Sequence, residues 1–190
     1  VLSFLSVCAI AAGLIGTLVQ KNKAQARYEQ VREIPTRVIT KYYERIEDIA
    51  GTTAVRRDMV KDALLFLDDL AKDADFDTRL AVDTAAGYRQ MGEVMFNGRN
   101  MANLGDQAGG EAARLKAEQL LLKVLAQDPA NTSANAEMAA LDADVGALLG
   151  SAGKVALAML RFDSAAKRYL LALKGADKNG EIRFELIRTY

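Results

Sequence analysis

The first nineteen residues carry no charged side chain. The run VLSFLSVCAIAAGLIGTLV, residues 1–19, would be apolar around every face of a helix. As an α-helix it would span about 28 Å, close to the hydrocarbon thickness of a bilayer. Lys21, Lys23 and Arg27 come directly after it. The pattern predicts a transmembrane helix over residues 1–19 and a juxtamembrane helical linker over residues 20–35. A signal peptide and a buried core helix are the alternatives.

Two features of this segment bear on its arrangement. Ala9, Gly13 and Thr17 repeat at four-residue spacing, which allows two membrane helices to approach closely and suggests a homodimer through this helix. Basic residues outnumber acidic ones in the linker, and this bias favours a cytoplasmic location for the residues on the C-terminal side of the helix.

Charge and composition exclude several functions. Lys plus Arg and Asp plus Glu both total 25, so the formal net charge is zero and nucleic-acid binding is not expected. The chain has no histidine, and Cys8 is its only cysteine. It therefore cannot form an internal disulfide, a Ser-His-Asp triad or a His-bearing zinc site. No catalytic, cofactor or metal residue is predicted.

The remainder of the chain has the apolar spacing of helices. The only prolines are Pro35 and Pro129, and no stretch alternates well enough for a strand. Further helices are predicted over about 106–127, 132–149 and 154–174, with Asn131, Thr132 or Ser133 as the cap of the second. One predicted stripe is Val55, Met59, Ala63, Phe66 and Leu70, and another is Leu80, Thr84, Tyr88, Met91 and Met95.

A repeat is visible in the second half. Residues 105–129 and 153–177 each open with Gly, continue as one helix and end in a polar turn. Their spacing resembles that of tetratricopeptide repeats, in which small residues allow paired helices to approach closely. The residues expected to make this packing are Gly92, Gly146, Ala158, Phe162 and Ala165.

Two residues depart from the tetratricopeptide pattern, because Asp142 and Arg114 stand where that family prefers an aromatic side chain. The predicted fold is all-α, with the transmembrane helix followed by a tetratricopeptide-like α-solenoid of antiparallel helix pairs. The repeat domain would cover residues 36–190, with units at about 78–129 and 132–177 and a truncated helix at 181–190.

Four pieces, in order, carry a closer resemblance. They are the apolar run with its basic end, ARYEQVREI at 26–34, GTTAVRRDMVKDALLFLDDLAKDA at 51–74 and GYRQMGEVMFNGRNMANLGD at 87–106. The chain resembles the region after the catalytic domain in bacterial membrane-bound serine/threonine protein kinases with tetratricopeptide repeats. Pro35 departs from the smooth helix usual there.

The resemblance implies a kinase domain before Val1, with ATP and magnesium bound there and no cofactor in the present residues. It also implies a single-pass protein of the inner membrane with a periplasmic repeat domain, against the basic residues after Val19.

The enlarged turn near residue 100 holds the candidate partner-binding residues Asn97, Arg99, Asn100 and Asn103. The alternative is that Asn and Gly stand there only because they tolerate turn conformations. Tyr42, Tyr43, Tyr88 and Tyr169 are expected to pack in the core rather than contact a ligand. The acidic cluster is expected to be a solvated helix end rather than a calcium site, and it comprises Asp68, Asp69, Asp73, Asp75 and Asp77.

The sequence supports three hypotheses on function. The first is a non-catalytic interaction or sensor region of a membrane kinase, with a protein or peptide in the repeat groove and membrane lipid as partners. The second is a membrane-anchored tetratricopeptide adaptor or envelope assembly scaffold without kinase activity. The third is an enzyme acting through acidic residues alone, for which no paired-carboxylate pocket is legible.

Overall fold

Five α-helices make up the computed structural model, which describes residues 51–74, 77–98 and 103–175. All of them belong to the second of the two units into which the chain divides, Thr40–Tyr190. The helices are α1 (Thr53–Asp73), α2 (Thr78–Met95), α3 (Gln107–Gln127), α4 (Thr132–Ser151) and α5 (Val155–Gly175). The predicted helices at 106–127, 132–149 and 154–174 are confirmed to within two residues at each end.

The predicted membrane-spanning architecture is wrong for the part of the chain that the structure describes. None of its helices is long and apolar enough to cross a bilayer. Even α4, the most apolar of them, contains Glu137, Asp142 and Asp144. The predicted transmembrane helix at 1–19, the linker at 20–35 and the truncated helix at 181–190 lie outside the described residues. The single-pass location in the inner membrane is therefore unsupported. The periplasmic placement of the repeats depended on it and is unsupported as well.

The predicted stripe of α1 is confirmed at Ala63 and Leu70 and wrong at Val55, Met59 and Phe66. Val55 is 54% exposed, whereas Leu67 is 3% exposed. Leu67 lies against Gly87 of α2, where an added Cβ would be 2.6 Å from its Cδ2 atom. The gap left by Gly87 receives Leu67 and fixes the rotation of α1. The buried stripe is Arg56, Val60, Ala63, Leu67 and Leu70.

Helix α2 buries the predicted stripe, which is confirmed. Leu80, Thr84, Tyr88, Met91 and Met95 are all at most 7% exposed. The helix begins at an Asp77 cap, whose carboxylate accepts hydrogen bonds from the backbone N–H groups of Arg79 at 2.9 Å and Leu80 at 3.1 Å. Such a cap satisfies amides that would otherwise lack a partner at the start of a helix.

Helices α2 and α3 approach closely where two glycines face each other. A Cβ on Gly92 would lie 3.1 Å from the Gly110 carbonyl oxygen, and a Cβ on Gly110 would lie 3.1 Å from that of Gly92. Arg114 comes one turn later and is 5% exposed. Its guanidinium donates a hydrogen bond to the carbonyl of Phe96 at the end of α2. Arg114 stands where the tetratricopeptide pattern has an aromatic residue, and here it links α3 to the loop after α2.

Helices α4 and α5 form an antiparallel hairpin. Gly146 lies opposite Phe162, and Asp142, one turn earlier on α4, contacts Ser164, which comes later on α5. An added Cβ at Gly146 would be 2.9–3.1 Å from three atoms of the Phe162 ring. The hairpin turns at Gly153, whose φ of 74° suits glycine. Its core is Ala139, Ala165, Tyr169 and Ala172.

Asp142, the second departure from the tetratricopeptide pattern, joins these two helices through polar contacts. Its carboxylate accepts hydrogen bonds from Arg161 Nη1 and Ser164 Oγ, each at 2.7 Å, and lies 3.6 Å from Arg168 Nε. Because the aspartate is 3% exposed, these partners replace water around its charge. The hydrogen bond that Arg161 donates to Asp142 is the largest effect and raises the pKa of Arg161, while burial alone would lower it.

Arg89 connects the hairpin of α2 and α3 to the hairpin of α4 and α5, as does Arg161 of α5, whose Nη1 atom lies 3.4 Å from Glu118 of α3. Arg89 of α2 donates from Nε to Glu137 at 2.5 Å and from Nη1 to Asp144 at 2.9 Å, both on α4. Glu93 lies 3.8 Å from the same Nη1 atom. Burial lowers the pKa of Arg89, but the nearby carboxylates outweigh it and raise the pKa overall. The charged form is therefore the stable one in this interface.

Gly146→Leu should lower the free energy of unfolding by roughly 1–3 kcal/mol or more, because the new side chain would overpack the Phe162 contact. Chemical denaturation followed by circular dichroism measures this change. Gly150→Leu, one turn later on α4, is the matched control, since a Cβ there meets only Ala158 at 3.9 Å. Equal stability of the two variants would contradict the described contact.

Candidate binding groove

The predicted partner-binding loop is described only at its two ends. Asn97 donates from Nδ2 to the Glu93 carbonyl at 3.4 Å, and the Asn103 side chain accepts from the Gly105 N–H at 2.9 Å. Arg99 and Asn100 lie outside the described residues. The bonds that Asn97 and Asn103 make to nearby backbone are those of turn residues, so their role in partner binding stays a prediction.

The ends of this loop are fixed to the helical frame. The N–H groups of Leu104 and Asp106 donate to the carbonyls of Val94 and Met95, each at 3.0 Å. At the other end, Gly98 lies so close to α4 that an added Cβ would be 2.7 Å from the Ala147 oxygen. These contacts hold Leu104 beside α1, where a groove opens.

The groove has a volume of about 280 Å³ and lies between α1 and the segment that enters α3. We refer to it as the α1 groove. Its apolar lining comes from both sides, and Leu65 at its surface is 58% exposed. The volume is just below the range of roughly 300–1,000 Å³ usual for small-molecule pockets, and it suits a few side chains. The apolar lining residues are Val60, Leu64, Leu65, Met95 and Leu104.

The two carboxylates that line the α1 groove, Asp68 and Asp106, already have hydrogen-bonding partners. Asp68 accepts hydrogen bonds from Tyr88 Oη and Lys116 Nζ, each at 2.5 Å. Lys116 also lies 5.3 Å from the centre of the Tyr88 ring, a cation–π distance. Asp106, the other acidic lining residue, accepts from the Gly109 N–H at 2.9 Å as the α3 cap. These carboxylates therefore hold the frame together.

The contacts of Asp68 shift two pKa values. Burial raises the pKa of Asp68, but the bonds from Lys116 and Tyr88 outweigh it and hold the pKa below the ordinary 3.8. Burial and the bond to Asp68 raise the pKa of the Tyr88 phenol well above 10.0. Both effects favour an ionised carboxylate beside a neutral phenol.

Two basic side chains also line the α1 groove. Arg57 and Lys61 stand one turn apart on α1 and are both exposed. Within the part of the chain that the structure describes, no hydrogen bond or ion pair engages either side chain. The α1 groove thus combines an apolar floor with two cations available to a ligand.

A second cavity, of about 20 Å³, lies where the end of α1 meets α2 and α3. Its lining includes Ala74, Ala81 and Val124. A space of this size holds about one water molecule, so it is a packing gap rather than a ligand site.

The α1 groove was not predicted from the sequence, although a signal for it exists. Residues 64–67 read LLFL, four consecutive large apolar side chains. One helix face cannot bury all four, because successive residues point about 100° apart. The run therefore indicated that at least one leucine would face outward, but not what would stand opposite it. Leu104 comes from the enlarged turn, whose conformation sequence spacing does not determine.

The other sequence predictions concern aromatic and acidic residues. Tyr88 and Tyr169 are 1% and 2% exposed, which confirms packing for these two, while Tyr42 and Tyr43 lie outside the described residues. Within the acidic cluster, Asp69 pairs with Lys72 at 2.6 Å and Asp77 caps α2. The described residues contain no group of three or more His, Cys, Asp or Glu placed to hold a metal ion.

Comparison with known proteins gives one family match. Residues 120–188 match the model of the CAF17 C-terminal β-barrel domain. The match covers fewer than half of the 190 residues, so membership of that family is not shown. Within it, residues 120–127, 132–151 and 155–175 are helical, which disagrees with a β-barrel. No curated protein and no solved structure matches the chain.

This comparison overturns the predicted resemblance. The family that matches is neither a kinase nor a tetratricopeptide family. The chain is therefore not identified as the membrane and repeat region of a serine/threonine kinase, and the membrane-anchored adaptor is likewise unsupported. ATP and magnesium were tied to that kinase domain and are not carried forward. The expectations of no cofactor, no nucleic acid, a lipid contact and a homodimer through residues 1–19 stay predictions.

Asp68→Asn should reduce the free energy of unfolding by about 1 kcal/mol or less at neutral pH, because the carboxyl is 43% exposed. Because the pKa of Asp68 is lower in the folded state than in the unfolded state, the ionised carboxylate stabilises the fold above the unfolded-state pKa. This stabilisation disappears as the pH falls through the folded-state pKa. The gap between wild type and variant should therefore close below about pH 4.

Urea unfolding at several pH values measures the gap. Asp69→Asn on the same helix is the control, because its pair with Lys72 is about three-quarters exposed at both ends and contributes little. A gap of the same size at pH 3 and pH 7 would contradict the assigned role of Asp68.

Proposed function

We propose that the chain binds an amphipathic helical segment of a partner protein in the α1 groove. Apolar side chains of the segment would lie on Leu64, Leu65 and Leu104, and a carboxylate would lie beside Arg57 and Lys61. The proposal takes up the expected protein or peptide ligand and gives it a site. It depends on neither a membrane anchor nor a kinase.

The observation that carries the proposal is the combination of exposed leucine and unengaged cations on one helix face. Leu65 exposes 58% of its surface beside Leu64 and Leu104. A Leu side chain gains about 1.5–3 kcal/mol when it is fully buried, so a covering apolar surface would be stabilising. Protein interfaces commonly combine such an apolar centre with a charged rim.

The charge distribution selects the ligand. Asp68 and Asp106 are engaged by Lys116 and the α3 backbone, so they offer little to a cationic segment. Arg57 and Lys61 are available and would attract a carboxylate. The groove therefore favours a segment with apolar residues at spacings of three and four and Asp or Glu at one end.

A display library of helix-forming peptides of about 15 residues, selected on the full chain, tests the proposal. Enriched peptides should carry two or three apolar positions spaced by three or four residues and an acidic end. Leu65→Asp should weaken their binding at least about tenfold, because it places a charge in the apolar contact. Leu115→Asp on α3 is the matched control, since Leu115 is 53% exposed and does not line the groove.

Two further variants separate the α1 groove from the predicted loop. Charge reversal of Arg57 and Lys61 to Glu should weaken the binding of acidic peptides and reduce the salt dependence of that binding. Arg99→Ala and Asn100→Ala should weaken the binding of the same peptides only if the loop also contacts them. Selection without a common pattern, or peptides indifferent to Leu65→Asp, would refute the groove as the binding site.

The family match offers a weaker second candidate, a part in iron–sulfur cluster assembly. Such clusters are commonly held by four cysteine thiolates, and this chain contributes only Cys8. A role of that kind would depend on contact with another protein, for which the α1 groove is the available surface. Specific capture of an iron–sulfur scaffold protein by wild type but not by Leu65→Asp would favour this candidate.

A further inference from the structure

Helix α5 exposes most of the large apolar surface in the described residues. Six of the ten large apolar side chains that are substantially exposed lie on this one helix. Met159 and Leu160 are each 66% exposed. Exposed apolar surface concentrated on one helix of a folded domain marks an interaction surface. The six are Val155, Leu157, Met159, Leu160, Leu170 and Leu171.

The exposed face of α5 has a regular seam. The line opposite α4 runs through residues separated by four, three, four, three and four positions, which all lie on one face of the helix, and two of them, Leu160 and Leu170, are large and apolar. The buried side of the helix, by contrast, consists of Ala158, Ala165 and Ala172 with Tyr169. We refer to the exposed line as the α5 seam, and its members are Ala156, Leu160, Asp163, Lys167, Leu170 and Lys174.

We propose that the α5 seam pairs with the α5 seam of a second copy of this chain in antiparallel orientation. The reason for this orientation is the order of the charged residues at the centre of the seam, where Asp163 precedes Lys167. A two-fold axis beside residue 165 places Leu160 opposite Leu170 of the other copy, and Asp163 opposite its Lys167. Each contact occurs twice, as a symmetric dimer requires.

The alternative orientation is disfavoured by charge. In a parallel pair, Asp163 would face Asp163 and Lys167 would face Lys167, and like charges in contact are repulsive. The antiparallel pair replaces both repulsions with attractions. In the single chain Asp163 and Lys167 already pair at 2.6 Å, and the second copy would extend this into a four-residue network.

This inference is independent of the α1 groove, which uses a different helix. It is also distinct from a homodimer through residues 1–19, because that contact would not depend on Asp163 or Lys167. Other occupants of the seam, such as residues after Gly175 or an unrelated protein, would likewise lack the two-fold charge pattern.

Charge swapping in the full chain tests the proposal. Sedimentation equilibrium of wild type should show a reversible monomer–dimer exchange. Asp163→Lys and Lys167→Asp should each weaken the dimer at least about tenfold, because two attractive pairs become repulsive. The double variant, Asp163→Lys with Lys167→Asp, should recover dimerisation to within about threefold of wild type. Leu122→Glu on α3, where Leu122 is 51% exposed, is the control and should dimerise normally.

Cysteine cross-linking tests the orientation in a Cys8→Ser background. Chains carrying Leu160→Cys mixed with chains carrying Leu170→Cys should give an oxidised dimer. Either variant alone should not, since its two thiols would lie about 15 Å apart along the pair, beyond disulfide reach. Melting curves followed by circular dichroism establish that each variant is folded.

A monomeric wild-type chain would overturn the proposal. A dimer whose affinity is unchanged by the single charge reversals would also overturn it, as would cross-links that form between identical positions. A double variant that stays monomeric although folded would also exclude the antiparallel register.

Discussion

Close approach of helix backbones is the constraint on which the rest of the domain depends. Gly92 and Gly110 allow α2 and α3 to meet, and Gly146 allows α4 to receive the Phe162 ring. In the α4–α5 hairpin the same purpose is served by fully buried alanines such as Ala139 and Ala165. Small side chains give little apolar area each, so the contact must be long and dense to be stable. The domain therefore builds its interior along whole helix faces rather than around a few large residues.

Charged groups complete the interfaces that small residues leave incomplete. Asp142, Arg114 and Arg89 are buried or nearly so, and each has a hydrogen-bonding partner on another element. Removing one partner of a buried pair leaves an uncompensated charge, which commonly costs about 3–5 kcal/mol. Such hydrogen-bonded contacts require one relative position of the two helices, whereas two faces lined by alanine can shift along each other. Arg89 thus fixes the relation of α2 to α4, and Asp142 fixes the register of α4 against α5.

Local features were predictable, and features that depend on a distant partner were not. The stripe of α2 and the positions of α3, α4 and α5 result from helical spacing and from capping residues such as Asn131, which accepts from the Ala134 N–H at 2.9 Å. The stripe of α1 was only partly predicted, because Gly87, on another helix, decides its rotation. The α1 groove depends on a turn conformation, and periodicity carries no information on it. The kinase resemblance failed because repeat-like spacing is shared by unrelated helical proteins.

The order of the contacts along the chain has a consequence for how the fold forms and opens. Two of the close approaches, Gly92 with Gly110 and Gly146 with Phe162, lie within hairpins whose helices are neighbours in sequence, α2 with α3 and α4 with α5. Because these pairs are local in sequence they assemble quickly, so the domain belongs with rapidly folding helical topologies. The contacts between the hairpins include the ion pairs of Arg89 with Glu137 and Asp144 and of Arg161 with Glu118. Transient opening should therefore separate two intact blocks, and backbone amides inside one hairpin should exchange with deuterium as a group.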